Sequence, residues 1–187
     1  MADHICPPWI GYLLINPLRK LLENPNKTLG PFAQEGMTVL EPGCGMGYFT
    51  LPLARMVGPT GRVVAMDIQP KMLSVLERRA RKAGLLDRIV LRHADGDGMG
   101  LEDLSGMVDF TAALHVVHEV PDQRRFYKEA WKALKLGGKL LVVEPRGHVS
   151  QEKFEQSVSL AKKIGFQNEP LSHKVSGRKV LLIKPRD

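Results

Sequence analysis

The chain places glycines and carboxylates where they could hold a nucleoside. Three alternating glycines, Gly43, Gly45 and Gly47, follow a short apolar run that ends at Glu41. Because glycine lacks a side chain, such a loop lets the backbone approach a ligand beside the N-terminus of the next helix. A second apolar run stops at Asp67, and a carboxylate about 20 residues past the glycines typically accepts ribose hydroxyls. The spacing therefore predicts a nucleotide-type site.

A second set of reactive side chains follows a later strand-like run. His115, His118 and Glu119 come directly after Val108–Leu114. Imidazole exchanges protons near neutral pH, so a histidine here could act as a general base, and His118 is the first candidate. Alternatively, His115 contacts a cofactor through its backbone and His118 makes a structural hydrogen bond. Glu119 either orients a histidine or caps the next helix.

The glycine spacing disfavours a dinucleotide cofactor. A GxGxxG fingerprint that began at Gly43 or Gly45 would put its last glycine at Tyr48 or Thr50, and those side chains prevent close packing of helix on strand. NAD and FAD are therefore the weaker alternatives.

The pattern ExGxGxG resembles instead the first motif of the class I S-adenosylmethionine (SAM) methyltransferases. The likeness continues through the segment after Leu114 and through Leu136–Leu140, which is similar to the phrase that leads into the fifth strand of that family. It spans roughly Met37 to Leu182. The branch it is most similar to includes quinone-biosynthesis and arsenite methyltransferases, which act on small molecules.

The resemblance implies a cofactor, a product and a set of contacts. The cofactor would be SAM and the product S-adenosylhomocysteine (SAH), with the glycine loop along the methionine part and the residues after strand three at the adenine. The implied cofactor-binding residues are Glu41, Gly43, Gly45, Gly47, Asp67, Ile68, Asp95, Gly96, Leu114 and His115. Because the methyl group sits on a cationic sulfur, the protein must chiefly place a nucleophile in line and exclude water.

Strand and helix patterns alternate along the chain, as a parallel sheet with crossover helices requires. The fold class expected is α/β, a doubly wound, seven-stranded, mostly parallel sheet that ends in an antiparallel hairpin. The predicted strands are Val39–Glu41, Arg62–Asp67, Ile89–His93, Val108–Leu114, Lys139–Glu144, Phe166–Lys174 and Arg178–Lys184. The helical stripes are Met72–Ala83, Phe126–Leu134, which is ended by Gly137 and Gly138, and Phe154–Ile164, which Ser150 would cap.

The domain prediction is a helical arm over residues 1–35 that covers the active site of a core over residues 36–187. Trp9 and Tyr12 in the arm are candidates for the wall of a substrate chamber. A membrane-surface role for this amphipathic arm is the alternative, but such helices more often pack onto the domain.

Composition bounds the class of protein. A chain of 187 residues with 43% hydrophobic residues suits one domain, and no apolar run approaches the ~18 residues of a membrane span. Pro7 and Pro8 interrupt the apolar residues near the N-terminus, which is unlike the continuous apolar centre of a signal peptide. With only Cys6 and Cys44, no disulfide framework is expected, and a cytoplasmic location follows. Oligomeric state has no signal in the sequence.

Two alternatives concern partners. One alternative is a nucleic-acid methyltransferase. The formal charge is +7, and basic residues are concentrated in the predicted helices around Arg78–Lys82 and Arg124–Lys135, although helices outside a sheet usually display such charge to solvent. His148, His4 and Cys6 could gather near Glu144, but no CxxC or HxxxH spacing is present, so no metal site is predicted. Besides a small-molecule and a nucleic-acid methyltransferase, the third class of function considered is a SAM-binding protein without turnover.

Overall fold

One mixed sheet of seven strands forms the centre of the part of the chain that the computed structural model describes, residues 23–96, 98–171 and 177–186. The strands are β1 (Thr38–Pro42), β2 (Arg62–Asp67), β3 (Ile89–His93), β4 (Val108–Leu114), β5 (Leu134–Glu144), β6 (Gln167–Glu169) and β7 (Arg178–Ile183). The α-helices of these ranges are α1 (Pro25–Leu29), α2 (Thr50–Met56), α3 (Pro70–Lys82), α4 (Gln123–Ala133) and α5 (Gln151–Ile164).

The order of the strands creates a crevice at one edge of the sheet. The order is β3-β2-β1-β4-β5-β7-β6, and β7 is antiparallel to both of its neighbours. The chain proceeds outward from β1 to β3 and then crosses back to β4 beside β1. In open α/β sheets the ligand crevice lies at the carboxyl ends of the strands where this reversal occurs. The predicted seven-stranded sheet with an antiparallel end is confirmed.

Alternating side chains explain why helices cover both faces. Val63 and Ala65 of β2 pack with α2 and α3 on one face, whereas Val64 and Met66 pack on the other, with α4 and α5. Successive residues of a strand point to opposite faces, so an uninterrupted apolar run gives a strand buried on both sides.

Three of the helices begin at polar caps. The Asn24 side chain accepts hydrogen bonds from the backbone of Asn26 and Lys27 at the start of α1. Asp122 accepts a hydrogen bond from the backbone of Arg125 at the start of α4, and Ser150 accepts one from Lys153 at the start of α5. The cap predicted at Ser150 is therefore confirmed. These side chains satisfy backbone N–H groups that a helix leaves without intrahelical partners.

The boundary between α4 and β5 differs from the sequence prediction. The apolar stripe Phe126–Leu134 predicted that the helix continues through Leu134, but α4 ends at Ala133 and Leu134 is the first residue of β5. The Lys184 ammonium donates to the carbonyls of Trp131 and Leu134, at 2.9 and 2.8 Å, and thereby closes the helix end. Gly137 and Gly138 consequently lie inside β5, in a stretch where the pairing with β4 is irregular. Val108 of β4 pairs with Leu134 of β5, whereas Phe110, two residues later in β4, pairs with Lys139.

Other sequence predictions fall partly outside the described residues. β6 covers only 167–169 of the predicted Phe166–Lys174, and residues 172–176 are not described. Residues 1–22, which include His4, Cys6, Trp9 and Tyr12, lie outside the described ranges as well. Among the helices that are described, none has the length and apolar character needed to cross a bilayer.

A buried hydrogen bond between α4 and α5 tests this packing. The hydroxyl of Tyr127, which is fully buried, lies 2.9 Å from that of Ser157. Tyr127→Phe should lower the free energy of unfolding by about 1 kcal/mol, because the Ser157 hydroxyl then loses its buried partner. Urea denaturation measures this loss.

Ser157→Ala supplies the matched background for the same measurement. In that background the Tyr127→Phe effect should shrink, since the partner is already gone. Equal effects of Tyr127→Phe in both backgrounds would show that the two hydroxyls do not interact.

Candidate functional site

The glycine loop after β1 is open to a ligand at one of its three glycines. Gly43, Gly45 and Gly47 all have positive φ, at 67°, 53° and 83°, a region that L side chains rarely adopt. A Cβ on Gly43 or Gly47 would also collide with Val116 at 2.6 Å or Leu76 at 2.4 Å. A Cβ on Gly45 would meet nothing within 4 Å. Packing therefore requires the outer two glycines, and the backbone at Gly45 has room for a ligand.

Asp67 ties this loop to the end of β2. Its Oδ2 accepts a hydrogen bond from the Gly45 backbone at 2.9 Å, and its Oδ1 accepts one from Gln69 at 2.9 Å. Cys44 N also donates to the carbonyl of Met66 at 2.9 Å. Burial raises the pKa of Asp67 above its ordinary value, although these backbone hydrogen bonds oppose the shift. Each carboxylate oxygen keeps lone-pair capacity for a further donor.

Glu41 lies beneath the same loop and is 2% exposed. Burial raises its pKa to about 8; the Thr50 hydroxyl opposes this shift and the charge of Asp67 adds to it. Its Oε2 is buried and has no hydrogen-bond partner among the described residues. A buried polar atom without a partner is costly, so a donor or a positive charge from a ligand would be stabilised here.

A cavity of about 240 Å³ adjoins the loop after β3 and is lined by Arg92–Asp95 and Gly98–Gly100. Ala94 N donates to the carbonyl of Asp67 at 3.1 Å, which holds the start of this loop against the end of β2. Gly96 has a φ of 90°, and a Cβ there would meet nothing within 4 Å. Ile68 has 41% of its surface exposed beside Asp67. The predicted residues Asp67, Ile68, Asp95 and Gly96 therefore share one edge of the sheet.

His115, at the end of β4, has an unusual backbone. Its φ of 58° is the only positive value at a non-glycine residue in the described ranges. Such conformations are costly and cluster at functional sites. His115 Nε2 lies 2.8 Å from Glu23 Oε1, and the carbonyl of Glu23 accepts a hydrogen bond from Tyr48 at 2.6 Å. The last part of the predicted arm is thus fixed against the glycine loop and β4.

His118 is held by a carboxylate from β5. Its Nδ1 makes a short hydrogen bond with Glu144 Oε2, while Oε1 accepts the backbone N–H of Val117 at 2.8 Å and of His118 at 3.3 Å. The hydrogen bond to Glu144 raises the pKa of His118 above its ordinary value; burial opposes the shift, and the charges of Glu144 and Glu119 add to it.

Glu119 does not have the capping role that one alternative assigned to it. The cap of α4 is Asp122, so that alternative is wrong. Glu119 Oε1 lies 3.9 Å from His118 Nε2, which is beyond hydrogen-bond distance.

Sequence reasoning missed Glu144 as the partner of His118. A usable signal was its position, because β5, like β2, ends in a carboxylate beside the crevice.

The remaining predicted groups are only partly brought together. The His148 ring lies 5.9 Å from the His118 ring, measured between centroids, and His4 and Cys6 are outside the described residues. Within the residues that are described, no set of three His, Cys, Asp or Glu side chains could hold a metal ion. The basic helices α3 and α4 pack on opposite faces of the sheet, so their cations do not form one surface.

Comparison with protein families gives one match over more than half of the chain. A family model described as a methyltransferase domain matches residues 40–142. Among curated proteins, a demethylmenaquinone methyltransferase from Lactobacillus johnsonii is 34% identical over 101 residues, 54% of this chain and 41% of that protein. A ubiquinone/menaquinone biosynthesis C-methyltransferase from Enterobacter is 32% identical over 111 residues, 59% of this chain and 43% of that protein. The chain therefore spans less than half the length of these relatives.

Solved structures share the fold. A SAM-dependent methyltransferase from Aquifex aeolicus superposes with a TM-score of 0.82 at 24% identity, covering 95% of this chain and 97% of that one. A SAM-dependent O-methyltransferase from Thermotoga maritima gives 0.63 at 19% identity, covering 98% of this chain and 67% of that one. At these identities the likeness concerns the fold alone.

The burial of Glu41 predicts a pH effect on stability without any ligand. The pKa of Glu41 is about 8 in the folded chain and 4.5 in the unfolded reference. Between these pH values the carboxyl group of Glu41 is therefore protonated in the folded chain and ionised in the unfolded chain. The contribution of Glu41 to stability is therefore complete below pH 4.5 and is lost as pH rises through about 8. Glu41→Gln should flatten this loss, which one group can make as steep as about 1.4 kcal/mol per pH unit.

Urea denaturation from pH 5 to 8 measures the slope, and Glu155→Gln on the exposed side of α5 is the matched control. The control should keep the slope of the unsubstituted chain. If Glu41→Gln kept it too, burial would not be raising the pKa of Glu41.

Proposed function

The chain belongs to the class I SAM-dependent methyltransferase family, and from that membership we propose that it transfers the methyl group of SAM to a small-molecule acceptor. The observation that carries the proposal is the contact of Asp67 with the Gly45 backbone, because it places a carboxylate and an open stretch of backbone side by side at the crevice. This is what a nucleoside with a charged tail needs.

The residues present fit SAM in chemical character. The ribose hydroxyls would donate to Asp67, which has acceptor capacity left, and the cationic methionine part would lie along the loop at Gly45 near the unpartnered oxygen of Glu41. Adenine would lie at the cavity after β3, against Ile68. The full set of proposed contacts is Glu41, Gly43, Gly45, Gly47, Asp67, Ile68, Asp95, Gly96, Leu114 and His115.

The proposed catalytic group follows β4. SAM supplies an electrophilic methyl group, so the protein has to align the acceptor and remove any proton that it carries. We assign the base to His118, whose ring is partly exposed and held by Glu144. His115 would contact the cofactor, and Glu119 would contribute negative charge beside the His118 ring.

A small acceptor is favoured over nucleic acid by the separation of the basic helices on opposite faces of the sheet. A continuous cationic surface beside the methyl donor is what a nucleic-acid substrate would require. The names of the curated relatives, which concern menaquinone and ubiquinone, also favour a small acceptor. We further propose that the arm over residues 1–35 covers this site, since Glu23 contacts both Tyr48 and His115.

Cofactor binding is tested with Asp67→Ala. The variant should bind SAM and SAH at least about 100-fold more weakly, because two hydrogen bonds to a charged group are lost and the Gly45 loop loses its anchor. Isothermal titration calorimetry measures the affinity, with Asp87→Ala, an exposed carboxylate, as the matched control. Equal affinity in both variants, or uptake of NAD in place of SAM, would refute the proposed site.

Turnover is tested by following SAH release across thiols, metalloids, phenols, amines and RNA. At least one small acceptor should be methylated, and His118→Ala should slow that reaction by about 100-fold or more if its ring removes a proton. Methylation of RNA alone, with binding that falls steeply with salt, would instead identify a nucleic-acid enzyme. SAM binding without SAH release from any acceptor would indicate a binding protein.

A further inference from the structure

We propose that Glu144 is the positioning residue of the base, that it fixes the His118 ring with Nε2 toward the acceptor, and that the acceptor is a weak acid bearing an O–H or S–H group. The inference rests on the proposed function, because it concerns the same site. It adds a residue and a chemical class of acceptor.

The carboxylate of Glu144 is immobilised at both oxygens. Glu144 is 2% exposed at the end of β5, and its Oε1 accepts the backbone N–H of Val117 and of His118. Its other oxygen bonds the ring of His118 at Nδ1. One carboxylate thus holds both the backbone and the side chain of the turn that carries His118, so the ring is fixed before any acceptor arrives.

This contact selects the tautomer of the neutral ring. An imidazole that donates its Nδ1–H to a carboxylate keeps the lone pair on Nε2. The side chain of His118 is 20% exposed, whereas that of Glu144 is only 3% exposed. The nitrogen that is free to accept a proton is therefore Nε2.

The other groups around the ring do not hold it in this way. Glu119 Oε1 is 3.9 Å from Nε2, and the His148 ring, from the segment after β5, is 5.9 Å away between centroids. Tyr127 from α4 is near enough to feel the charge of Glu144, but burial raises the pKa of Tyr127 to about 12, so its hydroxyl stays neutral. Within the described part of the chain, these are the titratable groups near the pair, and among them Glu144 makes the hydrogen bond to the ring.

The reaction that this pair supports balances as follows. The acceptor proton passes to His118 Nε2 while the oxygen or sulfur lone pair forms a bond to the methyl carbon. The bond between that carbon and the sulfonium sulfur breaks, and its electron pair remains on sulfur, which gives neutral SAH. The histidinium then releases the proton to water. Acceptors without a removable proton would gain nothing from the pair.

The charge of Glu144 also sets the strength of the base. Its hydrogen bond raises the pKa of His118, so the ring takes up a proton more readily than an isolated imidazole. The base must be neutral to act, and activity should consequently rise with pH through that pKa. Glu144→Gln keeps the shape and removes the charge, so it should lower the pKa and move this rise to lower pH.

Histidine NMR tests the pair without an acceptor. In full-length protein with ¹⁵N-labelled histidine, the His118 signals, assigned by their loss in His118→Gln, should show a proton on Nδ1 in the neutral form. Glu144→Gln should move the titration midpoint to lower pH, Glu119→Gln should move it less, and Glu155→Gln should leave it unchanged. A neutral His118 protonated on Nε2 would overturn the proposal, and the unsubstituted protein suffices to show it.

Kinetics test the positioning role and the acceptor class. With phenols and with thiols as separate series, Glu144→Gln should lower kcat/KM for SAH release at least about tenfold and shift the acidic limb of its pH profile downward. The KM for SAM should stay the same. The series that responds distinguishes hydroxyl from thiol acceptors.

The outcomes separate this inference from the proposed function. SAH release from a protic acceptor that does not respond to Glu144→Gln would overturn the inference and leave the methyltransferase intact. The expected tautomer without SAH release from any acceptor would contradict the proposed function, and with it the acceptor class, while leaving the role of Glu144 in orienting the ring.

Discussion

The hydrogen bond from the Gly45 backbone to Asp67 is the contact on which the rest of the site depends. It joins the loop after β1 to the end of β2, so the bend is held by the neighbouring strand. The glycines give the bend its positive φ values, and Val116 and Leu76 close it from the protein side. Only the backbone at Gly45 is left with open space, beside the carboxylate that anchors it.

The buried carboxylates of the site also lie at the carboxyl ends of the strands. Glu41, Asp67 and Glu144 are all buried near the carboxyl ends of β1, β2 and β5, and burial raises the pKa of the first two. Such carboxylates are costly for an isolated fold, because desolvation disfavours the ionised form. Glu144 offsets this cost with three hydrogen bonds from one turn, whereas Glu41 has an oxygen without a partner in the described residues. A cationic ligand such as SAM would supply the compensation that Glu41 lacks.

The sequence predicted the first half of this site and missed part of the second. The glycine spacing and the strand that stops at Asp67 are local signals, and both were sufficient to locate the loop and its carboxylate. The hydrogen bond between His118 and Glu144 joins residues 26 positions apart. It depends on the register in which β4 pairs with β5, and that register shifts between Val108 and Phe110 of β4. No local pattern encodes that shift. The end of α4 was also misplaced, because Lys184, far along the chain, binds the carbonyl of Leu134.

A crystal structure of the protein with SAH tests the central claim most directly. The account predicts that both ribose hydroxyls lie within about 2.5–3.2 Å of the Asp67 oxygens, that the homocysteine part follows the backbone at Gly45, and that the sulfur faces the crevice after β4. A nucleoside bound away from Asp67, or one whose ribose hydroxyls point to solvent while the Gly45 loop is untouched, would contradict it.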